Sequence, residues 1–301
     1  MGKPTRIIDF HQHVFWHGRD DAGLAGNLDE HGIEKAVLLS WDVTELELTQ
    51  AYENVFNPVH ARAGGRVPGL PLSDVVRAVR RYPDRFIAGY CPHPLGPHAI
   101  EHLEAAIRMH QVRVCGEWKA CVLLDDPRCL NLFRFCGRQH LPVVFHIDVP
   151  YRPDAQTGRP TFCKEWYGGT MDNVERAVAA CPETVFVGHG PGFWRYISGD
   201  AEAAPEGYPS GKVAPGGALI RVLDACPNLC ADLSAGSGRN ALQRDLEHAR
   251  EFLLKYHRRL LFGRDDYDGM LHQFLQSLEL PQEAAENIYH ANAERLLRMQ
   301  P

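Results

Sequence analysis

Five residues of this chain end short apolar runs and carry side chains able to ligate a metal or move a proton. His11 and His13 flank Gln12 in DFHQH, His146 closes LPVVFH, His189 closes TVFVGH and Asp265 closes RLLFGRD. Desolvating an imidazole or carboxylate at the end of a buried strand is costly unless the group is hydrogen-bonded, paired or bound. With a strand period of two, His11 and His13 fall on one side. His11, His13, His146 and Asp265 supply three imidazole nitrogens and one carboxylate oxygen, a set suited to one borderline divalent ion. Zinc fits best and manganese second; a second ion is not expected. No thiolate joins the set, which argues against a purely structural zinc site.

Such distant positions meet only if the fold gathers strand ends. Apolar runs of strand length recur at 6–10, 34–41, 85–90, 111–117, 141–146, 184–189, 228–234 and 259–265. Helical patterning follows each. It covers about 24–32, then 45–60 with a further helix through Val75, Val76 and Val79, then 98–110, 127–139, 170–181, 217–225 and 240–256. Two last helices are expected at 269–277 and 281–299. In 170–181 the apolar residues Val174, Ala177, Val178 and Cys181 follow i, i+3, i+4, i+7. Eight strand–helix units without a composition break predict one α/β domain over residues 1–301, a distorted (β/α)8 TIM barrel with long loops at its C-terminal face and extra C-terminal helices. The Gly- and Pro-rich stretch 64–71, the loop 148–168 and the loop 191–216 are the long connections, and the last of these reads as a cover over the site.

The chain has 301 residues with 45% hydrophobic and 23% charged residues, enough apolar surface for a folded core. Its formal net charge of -6 gives no electrostatic case for a nucleic-acid or anionic-membrane partner. No apolar run reaches the ~20 residues that cross a bilayer. The N-terminal MGKPTRIIDF lacks the apolar stretch of a secretory leader, so a cytoplasmic location is expected. Nine cysteines, odd in number and without a CxxC, read as free thiols.

DFHQH at 9–13, VVFHID at 143–148, VFVGHGPGFW at 185–194, ADLSAGSG at 231–238 and LLFGRDD at 260–266, with IYHANAERLL at 288–297, resemble the amidohydrolase-related (amidohydrolase 2) branch of the metal-dependent amidohydrolase superfamily. The resemblance implies a TIM barrel with a metal centre at its C-terminal face. His11 and His13 would be the first-strand ligands, His146 the fifth-strand ligand and Asp265 the eighth-strand ligand. His189 would orient or protonate substrate, or become a ligand if a further metal binds. Arg264 stands where that branch has a small residue, so the surroundings of Asp265 depart from the pattern.

The implied chemistry is hydrolysis of a small amide, lactone or related carbonyl substrate, with Asp265 and His189 as the catalytic pair. Non-oxidative decarboxylation of an aromatic or enoic acid is the alternative, and a non-catalytic metal-bound binding protein is the third reading. Glu117, Trp16, Tyr151 and Trp194 are the residues expected to contact substrate; Asp232, within ADLS, is a candidate for a buried polar brace. No organic cofactor is implied. The partner is a small molecule, and a homodimer is compatible with the fold.

Overall fold

The computed structural model describes residues 6–44, 47, 57–60 and 69–298. Eight parallel strands form the barrel: β1 (Ile8–Gln12), β2 (Lys35–Leu38), β3 (Phe86–Ala88), β4 (Cys115–Trp118), β5 (Val143–His146), β6 (Phe186–His189), β7 (Leu229–Asp232) and β8 (Leu260–Leu261). They run as β3-β2-β1 and β4-β5-β6-β7-β8. Two seams close the ring. The Phe10 N–H donates to the Phe262 carbonyl at 2.8 Å, joining β1 to the end of β8. The Arg113 N–H donates to the Ala88 carbonyl at 2.9 Å, and Tyr90 to Val114 at 3.0 Å, joining β3 to β4.

Alternation along the strands separates two apolar layers. Ile8, Phe10, Val37, Val114, Val144, Val187, Cys230 and Leu261 fill the barrel interior, and Ala293 and Leu297 of the last helix pack with them. Residues such as Leu38, Cys115, Phe145, Phe186 and Leu229 face outward into the larger core shared with the helices. Burial on both faces explains why these strands read as continuous apolar runs.

Two strands break the alternation, and both breaks serve the barrel mouth. In β1, Asp9 pairs with Ala36 and Gln12 with Leu38, so three steps face two. Strict alternation would have sent Gln12 inward with Phe10 and both imidazoles outward; the extra residue turns His11 and His13 into the mouth. In β4, Cys115 pairs with Val143 and Trp118 with Phe145, and the same insertion turns Glu117 inward. The Gly116–Glu117 peptide within it is cis.

Elsewhere the sequence reading needs adjustment. The helix expected over 45–60 lies mostly outside the described residues; Pro58–His60 is a single 3-10 turn. The expected 240–256 helix is two, Ala235–Gln243 and Leu246–Tyr256, because Asp245 caps the second by accepting from the His248 N–H at 3.3 Å. The expected 281–299 helix has a wide π turn at Asn287–Ala291, where the Ile288 carbonyl accepts from Phe262 instead of continuing the ladder. The loop 148–168 carries an antiparallel hairpin, Tyr151–Pro153 against Pro160–Phe162. All nine cysteines are free thiols, and no helix of the described residues is long and apolar enough to cross a membrane.

Asn292 anchors the last helix beneath the barrel by donating to the carbonyls of His257 and Leu260, both at 2.7 Å. Asn292→Ala leaves the buried Leu260 carbonyl and the half-buried His257 carbonyl short of a donor and is predicted to cost about 1–3 kcal/mol. Urea unfolding checks this; an unchanged midpoint would contradict the anchoring role.

Candidate metal centre

The ends of β1, β4, β5, β6 and β7 and the segment after β8 bring seven ionisable side chains to the barrel mouth: His11, His13, Glu117, His146, His189, Asp232 and Asp265. Each imidazole has its Nδ1 committed to an acceptor. His11 Nδ1 donates to Asp232 Oδ2 at 2.9 Å, His13 Nδ1 to the Leu39 carbonyl at 2.9 Å, and His146 Nδ1 to Glu117 Oε1 at 2.8 Å. His189 Nδ1 lies 3.1 Å from Asp232 Oδ1 and 2.8 Å from Ser234 Oγ. Carbonyls and carboxylates only accept, so the proton sits on Nδ1 and the neutral ring presents its Nε2 lone pair. Outer partners that fix tautomer and orientation in this way are the usual support of imidazole ligands.

The Nε2 atoms face two carboxylates. Asp265 Oδ1 is 3.3 Å from His13 Nε2 and 3.9 Å from His11 Nε2, and its Oδ2 is 3.5 Å from His189 Nε2. Glu117 Oε2 is 3.6 Å from His13 Nε2. Two overlapping donor groups result, each with its ligand atoms within 4.8 Å of one another: His11, His13 and Asp265, and His11, Glu117 and His189. His11 Nε2, His189 Nε2 and Asp265 Oδ1 are buried without a hydrogen-bond partner among the described residues. Three converging, desolvated, unsatisfied acceptors fit a bound cation.

Without an ion, protons take over part of its role. Burial opposes a charged His189, but Asp232 and Asp265 override it and push its pKa up to about 10. His11 is raised as well: burial works against it, and Asp232 prevails. His146 goes the other way, down to about 3, through burial and then the nearby Lys119. Despite burial, Asp232 and Asp265 are held well below the usual carboxylate range by the surrounding imidazoles.

Not every residue expected at the site behaves as expected. His11, His13 and Asp265 come together. His146 lies at the same mouth, its ring centroid 5.1 Å from that of His189, but belongs to neither donor group. Gly190, at φ +97°, makes room for it: a Cβ there would sit 3.0 Å from His146 Nε2. Glu117, expected to contact substrate, stands among the donors. Trp16 packs beside His13, ring centroids 5.2 Å apart. Trp194 is buried behind the centre, its indole N–H donating to the Asp232 carbonyl at 3.0 Å. Tyr151 is not brought to the centre; it is 59% exposed on the hairpin, packed on Phe162.

Arg264 points away from the mouth. Its Nε donates to Asp9 Oδ2 at 2.7 Å and its Nη1 to Asn27 Oδ1 at 2.9 Å. Asp9 Oδ1 also accepts from the backbone N–H of Arg264 at 3.0 Å and of His11 at 3.3 Å. This buried pair ties the end of β8 to the bulge of β1, so the large residue replaces the small one without entering the donor set. Trp41, whose ring centroid is 5.3 Å from that of His13, and Tyr167, 5.6 Å from that of His146, were not expected beside the centre, because an aromatic in a loop carries no signal that tells a pocket wall from a packed lid.

No family model and no curated protein matches this chain. Solved structures do. An uncharacterised TIM-barrel protein from Bordetella bronchiseptica shares 17% identity over 97% of this chain and 98% of that one, with a TM-score of 0.63. A Pseudomonas putida protein provisionally assigned as a 2-pyrone-4,6-dicarboxylic acid hydrolase shares 15% over 99% of both chains, TM-score 0.59. A dihydroxybenzoic acid decarboxylase from Polaromonas, solved with manganese and the inhibitor 2-nitroresorcinol, shares 14% over 98% of this chain and 97% of that one, TM-score 0.56. At these identities the comparison establishes a shared fold, a distorted (β/α)8 barrel. That fold hosts both a hydrolase assignment and a decarboxylase, so it leaves the reaction to be argued from the site.

A raised His189 pKa stabilises the ion-free protein fully below its ordinary value of 6.5, and this contribution is lost as pH climbs toward 10. The ion-free protein is therefore predicted to lose about 2–4 kcal/mol over that interval. Bound Zn2+ replaces the proton's charge and should flatten the decline. Thermal melts across pH, with and without Zn2+, check this; equal slopes would contradict it.

Proposed function

We propose that this protein is a divalent-metal-dependent hydrolase of the amidohydrolase-related branch, acting on a small amide, lactone or related carbonyl substrate. The observation that carries the reading is the convergence of the unsatisfied His11 Nε2, His189 Nε2 and Asp265 Oδ1 at the barrel mouth. His11, His13 and Asp265 would hold the ion, with Glu117 and His146 beside them. A bound divalent ion lowers the pKa of its water toward neutrality and polarises a carbonyl oxygen.

The remaining chemistry falls to the chain. Asp265, whose carboxylate faces His13 through one oxygen and His189 through the other, accepts the proton of the attacking water. His189, whose Nε2 lies 3.5 Å from Asp265 Oδ2, would orient the substrate oxygen and pass a proton to it after receiving one from Asp265. Asp232 and Ser234 hold that imidazole in register, so its orientation is set before substrate arrives. Hydrolysis is preferred to decarboxylation because Asp265 would offer a proton acceptor within 3.5 Å of an imidazole, His189, that can relay the proton.

Metal analysis of the purified protein should find a divalent ion that chelators remove together with activity toward a panel of small lactones, amides and esters. Asp265→Asn is predicted to lower kcat by about 10²- to 10⁴-fold. Release of carbon dioxide from aromatic acids, with no hydrolysis across the panel, would overturn the hydrolytic reading.

A further inference from the structure

The face of the barrel opposite the metal centre carries a feature that the proposed chemistry does not use. A cavity of about 410 Å³ opens between the helices Leu72–Arg81 and Ala99–His110, floored by Phe86 and Ile87 of β3. It shares Arg80 and His110 with a cavity of about 700 Å³ that also reaches Arg77 and Arg81. It shares Gln111 and Arg113 with a third, of about 390 Å³, that reaches Arg298 at the end of the last helix. Together they form a groove around the N-terminal ends of β3 and β4.

Five arginines line this groove and no carboxylate does. Arg77 and Arg81 have partners outside it, Asp74 Oδ1 at 2.9 Å and Asp21 Oδ1 at 3.1 Å. Arg80, Arg113 and Arg298 are exposed and form no ion pair among the described residues. In a chain of net charge -6, positive charge concentrated in this way runs against the average surface. The dipole of the Leu72–Arg81 helix favours Arg80 in its last turn, but it gives no reason for Arg113 at the foot of β4. Between the arginines the lining is apolar, with Val76, Val79 and Met109, the last 73% exposed.

A single exposed arginine is ordinary surface. Three unpaired guanidiniums spaced along an apolar floor match a chain that interleaves carboxylates with apolar side chains. A nucleic-acid backbone would supply the charge and leave the floor unfilled, and a membrane surface is too flat to enter a groove. We propose that this groove docks an acidic, apolar-anchored segment of a partner protein. Its carboxylates pair with Arg80, Arg113 and Arg298, and its apolar side chains cover Val76, Val79 and Met109. The proposal stands apart from the metal centre and holds whichever reaction that centre performs.

The probe is a fluorescein-labelled peptide of about twelve residues repeating Glu-Leu-Glu, with the Gln-Leu-Gln peptide as its uncharged control. Both are titrated into the full chain by fluorescence polarisation. The acidic peptide is predicted to bind saturably at about 50 mM salt and to weaken about tenfold or more by about 500 mM. Arg80→Glu combined with Arg113→Glu should weaken it by about tenfold or more again, with zinc content unchanged. Arg80→Gln combined with Arg113→Gln, which removes the charge without reversing it, repeats the test if the first variant melts early. No saturable binding, equal binding of the two peptides, or affinity unchanged in both variants would overturn the proposal. Tighter binding of single-stranded DNA of equal charge would overturn it too, as would self-association of the protein that the same variants abolish, because either gives the groove a different occupant.

Discussion

The carboxylate of Asp232 is the constraint on which the centre depends. Fully buried, it accepts from His11 through one oxygen and lies within hydrogen-bond distance of His189 through the other. Two strands on either side of the mouth are thereby locked to a third. Because the carboxylate only accepts, both rings carry their Nδ1 proton toward it and turn Nε2 toward the same volume. Ser234 N–H, bonded to the same carboxylate at 3.0 Å, and the Trp194 indole, bonded to the Asp232 carbonyl, hold the brace in place. A site of convergent lone pairs is electrostatically unfavourable when empty of charge, and protons on His189 and His11 are the cheapest substitute for a metal ion. The raised pKa values and the proposed metal affinity are therefore two expressions of one arrangement.

The backbone reaches this arrangement by departing from regular strand geometry at two places. A pleated strand cannot present Phe10 to the barrel interior and His11 to the mouth, because adjacent residues face opposite ways. The extra residue in β1 removes the conflict, and the one in β4 does the same for Glu117. Asp9 and Arg264 then tie the β1 bulge to β8, which keeps Asp265 opposite the two imidazoles. The lower barrel is filled by aliphatic side chains and closed by the last helix, so polar groups accumulate only where the ladder is interrupted.

Much of this could be read from the residues themselves. The eight apolar runs announced a closed barrel, and polar residues at the ends of those runs marked the mouth, because burial makes such residues expensive without a partner. Asp232, inside the ADLS run, was only a candidate brace from sequence, because nothing in the run tells which imidazoles its carboxylate would meet. Bulges leave no comparable trace: DFHQH and VCGEW look like ordinary strands, so neither the inward turn of His11 nor that of Glu117 could be assigned from periodicity. His146 illustrates a second limit. Its place at the end of β5 was legible, but its Nδ1 bond to Glu117 depends on a rotamer that only the packed mouth defines. Tyr151 and Trp194 fail for a related reason, since an aromatic after a strand is as compatible with an exposed hairpin or a buried wedge as with a pocket wall.

The most direct test is anomalous diffraction at the zinc edge from crystals of the zinc-loaded protein. The account predicts a peak about 2.0–2.2 Å from Nε2 of His11 and of His13 and from a carboxylate oxygen of Asp265, with both Nδ1–Asp232 bonds intact. A peak that lies elsewhere, or coordination through His11 Nδ1 with Asp232 displaced, would contradict it.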